Sequence, residues 1–207
     1  MKDEGGWMMN RNGQSSKLFK LVIIALFGSI SVVLMLLNFP LPLLPQYLKV
    51  DFSEIPALIA AILFTPLAGI AVEGLKNVLY FIYTGASDPV GVVANFTAGL
   101  LFVVPAAMFY RRFKSTKGLV SGIVVSIVIT AVSMSVLNYF FILPAYSWFM
   151  GMEMMSAQMK WTTVVAAILP FNALKGLIIG VLFVPVFIKL RPWIEQKRMQ
   201  SNSSSAA

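Results

Sequence analysis

Apolar residues fill this chain in long runs, separated by short polar, basic or proline-rich stretches. The first run, Leu21–Leu37, follows a polar start carrying Lys2, Arg11, Lys17 and Lys20. Asn38-Phe39-Pro40 comes next rather than a small-residue cleavage site, so the run reads as a retained span and not a signal peptide. Asn38–Pro56 holds Pro40, Pro42, Pro45 and Pro56. Proline fixes φ and blocks helix continuation, which predicts a stiff loop here, with Asp51 or Ser53 capping the helix that follows. Ile55–Phe64 predicts a short second helix, ended by Thr65-Pro66, and Leu67–Tyr83 a third. Val90–Tyr110 and Gly118–Ile142 predict the fourth and fifth, joined by a basic loop over Arg111–Lys117. Leu143–Lys160, with Pro144, Tyr146 and Trp148, predicts a loop at the membrane interface, where aromatic side chains concentrate. The sixth run extends from about Trp161 to Ile188.

A helix crosses a bilayer in ~20 residues at about 1.5 Å rise each. The pattern therefore predicts an all-α integral membrane protein, a six-transmembrane-helix bundle. Charge sets the expected orientation. With both termini cytoplasmic, the inside collects Lys2, Arg11, Lys17, Lys20, Arg111, Arg112, Lys114, Lys117, Lys189, Arg191, Lys197 and Arg198. The outside keeps Lys49 and Lys160 against Asp51, Glu54, Asp88 and Glu153, as the positive-inside rule requires. Residues 1–17 read as a polar extension, 18–191 as the membrane domain and 192–207 as a cytoplasmic tail.

Composition sharpens this picture. Of the 207 residues 58% are hydrophobic and mean hydropathy is +0.84, against about 45–50% apolar in soluble domains. The net charge of +8 falls between spans, which favours topology over nucleic-acid binding as its cause. There is no cysteine and no histidine, which removes thiolate nucleophiles, disulfides, imidazole bases and the usual zinc ligands. No Gly-x-x-x-x-Gly-Lys-Ser/Thr loop is present, so the chain does not hydrolyse ATP by that route. The chain is not expected to be an enzyme, and no catalytic residue, metal or cofactor is assigned.

Two polar clusters interrupt the apolar runs. Glu73, Lys76 and Asn77 lie in the third helix, where the i, i+3 spacing lets Glu73 and Lys76 pair along one face. Such a pair either orders the bundle or forms part of a proton relay. The second cluster is Asn172 and Lys175, with Asn138 near the end of the fifth helix. A lysine left in hydrocarbon costs roughly 2.5–3.5 kcal/mol by insertion scales. No acidic residue lies in the fifth or sixth span, and Glu73 already has Lys76 beside it. An interhelical hydrogen-bond network is the bland reading. The aromatic run Tyr139, Phe140 and Phe141 after Asn138 favours the sharper one, a site for a flat heteroaromatic ligand that holds Lys175 without a carboxylate. Ala25-x-x-x-Ser29 on the first span has the small-residue spacing of close helix contacts.

Across Leu18–Arg191 the chain resembles the riboflavin-specific substrate-binding component of energy-coupling factor transporters, the RibU family. The stretches that carry the likeness are Val33–Pro40, Tyr47–Ser53, Pro66–Ile70, Lys76-Asn77, Asp88–Gly91, Ala94-Asn95-Phe96, Leu137-Asn138-Tyr139 and Pro170–Gly176. The resemblance implies a plasma-membrane protein of bacteria that captures riboflavin from outside as a transported ligand. It also implies docking onto a transmembrane scaffold subunit and two cytoplasmic ATPases. Asn138, Asn172 and Lys175 would then contact the flavin ring, with Leu43, Leu44, Tyr139 and Asn95 completing the site and Ala25 and Ser29 meeting the scaffold. The residue types suit that role: the isoalloxazine edge presents an imide N–H between two carbonyls, which Asn and Lys can match. Two other readings compete. One is an ion-coupled carrier of a small aromatic solute with Glu73, Lys76 and Lys175 as relay; the other is a membrane enzyme using a Ser-Lys pair such as Ser133 or Ser135.

Overall fold

The computed structural model describes residues 5–203 and, within them, the side chains of 17–192. The expected polar extension and cytoplasmic tail fall almost wholly outside those side chains. The described chain is helical apart from a pair of two-residue strands and the turns and loops that join the elements. Helix α1 (Gly5–Leu36) leads into β1 (Phe39–Pro40) and β2 (Lys49–Val50). These pair antiparallel, Phe39 opposite Val50 and Pro40 opposite Lys49, and turn the proline-rich loop into a closed hairpin. Leu43 sits at its tip, fully exposed, with φ 67°.

Helix α2 (Glu54–Leu63) and α3 (Pro66–Tyr83) follow, separated as Thr65-Pro66 predicts: the Thr65 hydroxyl caps Ala68 N–H at 3.3 Å and Pro66 takes the first turn, where its missing N–H costs nothing. Helix α4 (Pro89–Phe113) starts on Asp88, whose Oδ1 accepts Gly91 N–H at 2.7 Å. The expected basic loop at 111–117 is shorter than predicted. Arg111 and Arg112 complete α4, Lys114 turns the chain at φ 47°, and Ser115 caps α5 (Thr116–Leu137).

The largest departure is at 143–160. Rather than a loop, the chain continues from α5 through a π-helical turn at Asn138–Ile142 into α6 (Leu143–Met150). The same device recurs in the last rod: α7 (Ala157–Thr163), a π turn at Val164–Ile168, and α8 (Leu169–Ser203). In both rods a proline, Pro144 or Pro170, stands two residues after the π turn. Proline removes one N–H and crowds the carbonyl four residues back, and the widened turn accommodates both. A proline read as a loop signal is thus absorbed within a helix.

The six rods pack with α4 against α5, α5 against α8, and α3 against α1, α2 and α4. Their surface polarity is inverted relative to a soluble protein. Leu26, Val93, Val128 and Val181 face outward, while Glu73, Lys76 and Ser126 are fully enclosed. Four rods are long and apolar enough to cross a membrane: Lys17–Leu36, Pro89–Phe113, Thr116–Met150 and Ala157–Pro192. The other two, α2 and α3, lie among them. The Arg111 guanidinium donates to the Phe64 carbonyl at 2.9 Å, which ties the end of α2 to the end of α4. With 10 residues, α2 rises only about 15 Å from there. That is about half of the ~30 Å that a hydrocarbon core spans.

Candidate functional site

The shortness of α2 has a chemical result. Asp51 and Glu54, expected in an outer loop, are drawn into the bundle at 3% and 2% exposure. There they meet the lysines of two other helices. Lys175 Nζ on α8 lies 3.0 Å from Asp51 Oδ2 and 2.8 Å from Glu54 Oε1. On α3, Lys76 Nζ lies 2.9 Å from Glu73 Oε2 and 3.7 Å from Glu54 Oε1, and donates to Ser53 Oγ at 2.7 Å. The result is a buried ladder running Asp51, Lys175, Glu54, Lys76, Glu73.

Two expectations change accordingly. The Glu73–Lys76 pair forms as its spacing predicts. Lys175, however, is not without a carboxylate: it has two, neither of them Glu73. The predicted capping role also fails. Ser53 occupies the cap position of α2 but its side chain makes no capping bond, because its hydroxyl accepts from Lys76, while Asp51 Oδ1 accepts Ser53 N–H at 2.9 Å.

Beside the ladder opens a cavity of about 250 Å³, many times the ~30 Å³ share of one water. Asn95, Asn138, Asn172 and Lys175 all line it, from three separate rods. The π turns set two of these residues. Asn138 begins the first, and Asn172 lies one turn beyond the second. Each spends one amide N–H on the carbonyl four residues back: Asn138 on Met134 at 2.7 Å and Asn172 on Ile168 at 2.8 Å. That fixes both rotamers and leaves an acceptor oxygen and a second donor on each. The Asn95 side-chain oxygen is buried and finds no donor among the described residues.

The mouth of the cavity is polar and aromatic, with Tyr47, Lys49, Thr84, Asp88 and Tyr146. The Tyr146 hydroxyl donates to Asp88 Oδ2 at 3.2 Å. Three expected site residues lie elsewhere. Leu43 and Leu44 do not line the cavity, because the strand pair holds the hairpin tip out in the open and brings Tyr47 and Leu48 to the wall instead. Tyr139 turns away as well, stacking edge-on with Phe140 at 4.9 Å and carrying Lys160 Nζ 4.9 Å over its ring. Asn77 is buried and donates to the Glu73 carbonyl at 2.9 Å, behind the ladder. Ala25 and Ser29 lie on an exposed face of α1, Ser29 Oγ donating to Ala25 O at 3.0 Å.

Comparison with known proteins is consistent over most of the chain. Residues 19–187 match the family described as "ECF transporter, substrate-specific component". The riboflavin transporter FmnP of Bacillus subtilis is 52% identical over 184 residues, 88% of this chain and 97% of that one. The riboflavin transporter RibU of Staphylococcus aureus is 36% identical, covering 89% of this chain and 96% of its own length. A solved structure of the S component of a bacterial ECF transporter superposes with a TM-score of 0.75 at 36% identity, over 86% of this chain and 98% of that one.

Proposed function

Because the chain belongs to the substrate-specific components of ECF transporters, we propose that it captures riboflavin at the outer face of the bacterial plasma membrane and delivers it to an ATP-driven module. As a member of that family with four long apolar helices, it is a multi-pass membrane protein. In this reading all six rods are embedded in the membrane and both termini are cytoplasmic, an orientation that suits the basic residues at the ends of α4 and α8. Its relatives are named as transporters, and the chain carries out no covalent chemistry of its own. Its partners are a transmembrane scaffold subunit and two cytoplasmic ATPases. Riboflavin is cargo, not cofactor.

One observation carries the reading: three asparagines and a lysine converge on one cavity. Asn138 and Asn172 each present an acceptor and a donor to it, and Lys175 presents a donor, a set that complements the carbonyl–imide–carbonyl edge of a flavin. The hydroxyl, phenol and carboxylate groups at the mouth suit a polyol chain. The test is a titration of purified protein with riboflavin, followed by flavin fluorescence, together with the absorption spectrum of the protein as isolated. Saturable quenching supports capture; no binding at micromolar riboflavin refutes it. The ladder also fits a relay of the kind an ion-coupled carrier needs. Liposomes holding this chain alone separate the two, because only the carrier takes up riboflavin on an ion gradient without the ATPase module.

A further inference from the structure

The ladder holds three carboxylates, Asp51, Glu54 and Glu73, against two ammonium groups, Lys76 and Lys175. Lys175 is therefore not a free cation waiting for an anion. Of its three N–H donors, one faces Asp51 and one faces Glu54, which leaves a single donor for the cavity that it also lines. The two carboxylates fix the direction of that donor and cancel its charge.

Resting on the riboflavin reading, we propose that Asp51 and Glu54 are specificity-determining residues: they make Lys175 a neutralised, directed hydrogen-bond donor, so the deep end of the cavity accepts an uncharged carbonyl and rejects an anion. Asp51 lines the cavity itself, so an anionic oxygen placed on Lys175 would lie beside a carboxylate already bonded to the same ammonium. A neutral carbonyl needs one N–H and brings no charge. For a flavin the distinction is chemical: the neutral ring carries an imide N–H, and its conjugate base spreads a negative charge over the imide nitrogen and both carbonyl oxygens. The site would bind the first and refuse the second.

The imide itself supplies the test. Riboflavin affinity is measured on wild type, Asp51→Asn and Glu54→Gln from about pH 7 to about pH 10.5. Each substitution removes one of three carboxylates and leaves two facing two ammonium groups, so it relieves the excess rather than stranding a charge. Unfolding midpoints check that both variants are folded, and either suffices. Other titratable groups face the cavity: Tyr47 and Lys49 from the hairpin, Tyr80 from α3, Asp88 at the start of α4 and Tyr146 from α6. These residues are the same in all three proteins.

Wild-type affinity is expected to fall in proportion to the neutral fraction of the imide, approaching about tenfold per pH unit only well above the imide's own pKa, since only that fraction binds. Asp51→Asn should fall by no more than about threefold per unit, because the carboxylate that lines the cavity no longer opposes the anion, and Glu54→Gln, which keeps Asp51, should fall less steeply than wild type. Binding at pH 7 followed by parallel curves for all three proteins, or a wild-type curve that stays flat, would overturn the selectivity and leave riboflavin capture standing. Failure of wild type to bind at pH 7 would remove the capture reading itself.

Discussion

Lys175 Nζ and Asp51 Oδ2 meet at 3.0 Å across 124 positions of sequence, in the interior of the bundle. The contact joins the last helix to the segment that leaves the hairpin, and Glu54 secures it at 2.8 Å. Lys175 thereby has two duties, stabilising the fold and presenting a donor to the cavity. Double substitution can part them. Lys175→Ala strands two buried carboxylates with only Lys76 near, a change that typically costs about 3–5 kcal/mol. Its unfolding midpoint in detergent should fall sharply, and riboflavin affinity should drop well beyond tenfold. Adding Asp51→Asn should restore much of the midpoint and none of the affinity. Recovery of both would show that Lys175 serves the fold alone.

Gly99 on α4 is the floor on which the Glu73 carboxylate rests. A Cβ at this position would run into Glu73 Oε2 and lie 2.5 Å from its Cδ. Glu73 is fully buried between α3 and α4 and already held by Lys76 at 2.9 Å, so it has little room to withdraw. Gly99→Ala should destabilise the protein by about 1–3 kcal/mol, an overpacking cost rather than a helix-propensity effect. Alanine at Gly85, where nothing lies within 4 Å, tests only the penalty of its positive φ. Thermal unfolding of the two variants separates these mechanisms, and equal losses would count against the steric account.

The parts of this structure that sequence reading recovers are those governed by local spacing. Glu73 and Lys76 are three residues apart on one helix, and their pair forms as that spacing requires. The convergence of Asn138, Asn172 and Lys175 was also legible, because three polar side chains in apolar spans have few other places to go. The partners of Lys175 were not. Asp51 and Glu54 look like outer-loop acids until the 10-residue length of α2 is taken seriously. An apolar helix too short to cross a bilayer was the available signal. The continuity of α5 into α6 was hidden for a different reason: Pro144 breaks an α-helix, but a π turn lets the helix carry on.

Asn95 should show a trade of stability against affinity. Its side-chain oxygen is buried beside the cavity and has no donor among the described residues. A buried unpaired acceptor costs about 1–3 kcal/mol. Replacing it with leucine, of the same branching and heavy-atom count, should raise the unfolding midpoint of the ligand-free protein and weaken riboflavin binding. A midpoint that falls instead would mean that the amide is satisfied in the folded state.

Asn138→Ala and Asn172→Ala should each lower riboflavin affinity by about tenfold, or roughly 1.4 kcal/mol, the worth of about one hydrogen bond. Tyr139→Leu should change it by less than about twofold, because that ring is engaged with Phe140 and Lys160 rather than with the cavity. Fluorescence titration of the three variants checks the assignment. A larger loss at Tyr139 than at either asparagine would move the site away from the π turns.

We propose that the scaffold subunit docks at Ala25 and Ser29 on α1, which would separate binding from transport at these two positions. Both are exposed on α1 one turn apart, and the Ser29 hydroxyl folds back on the Ala25 carbonyl, so the two positions carry only small side chains. Neither residue lines the cavity. A face this low admits another helix closely, as small-residue faces do in membranes. Ala25→Trp and Ser29→Trp should therefore leave riboflavin affinity within about twofold of wild type, since no group of the binding site moves. Uptake by cells or proteoliposomes containing the scaffold and ATPases should fall to background. Normal uptake by both variants would mean that the scaffold docks on another face of the bundle, and lost binding would mean that α1 supports the cavity.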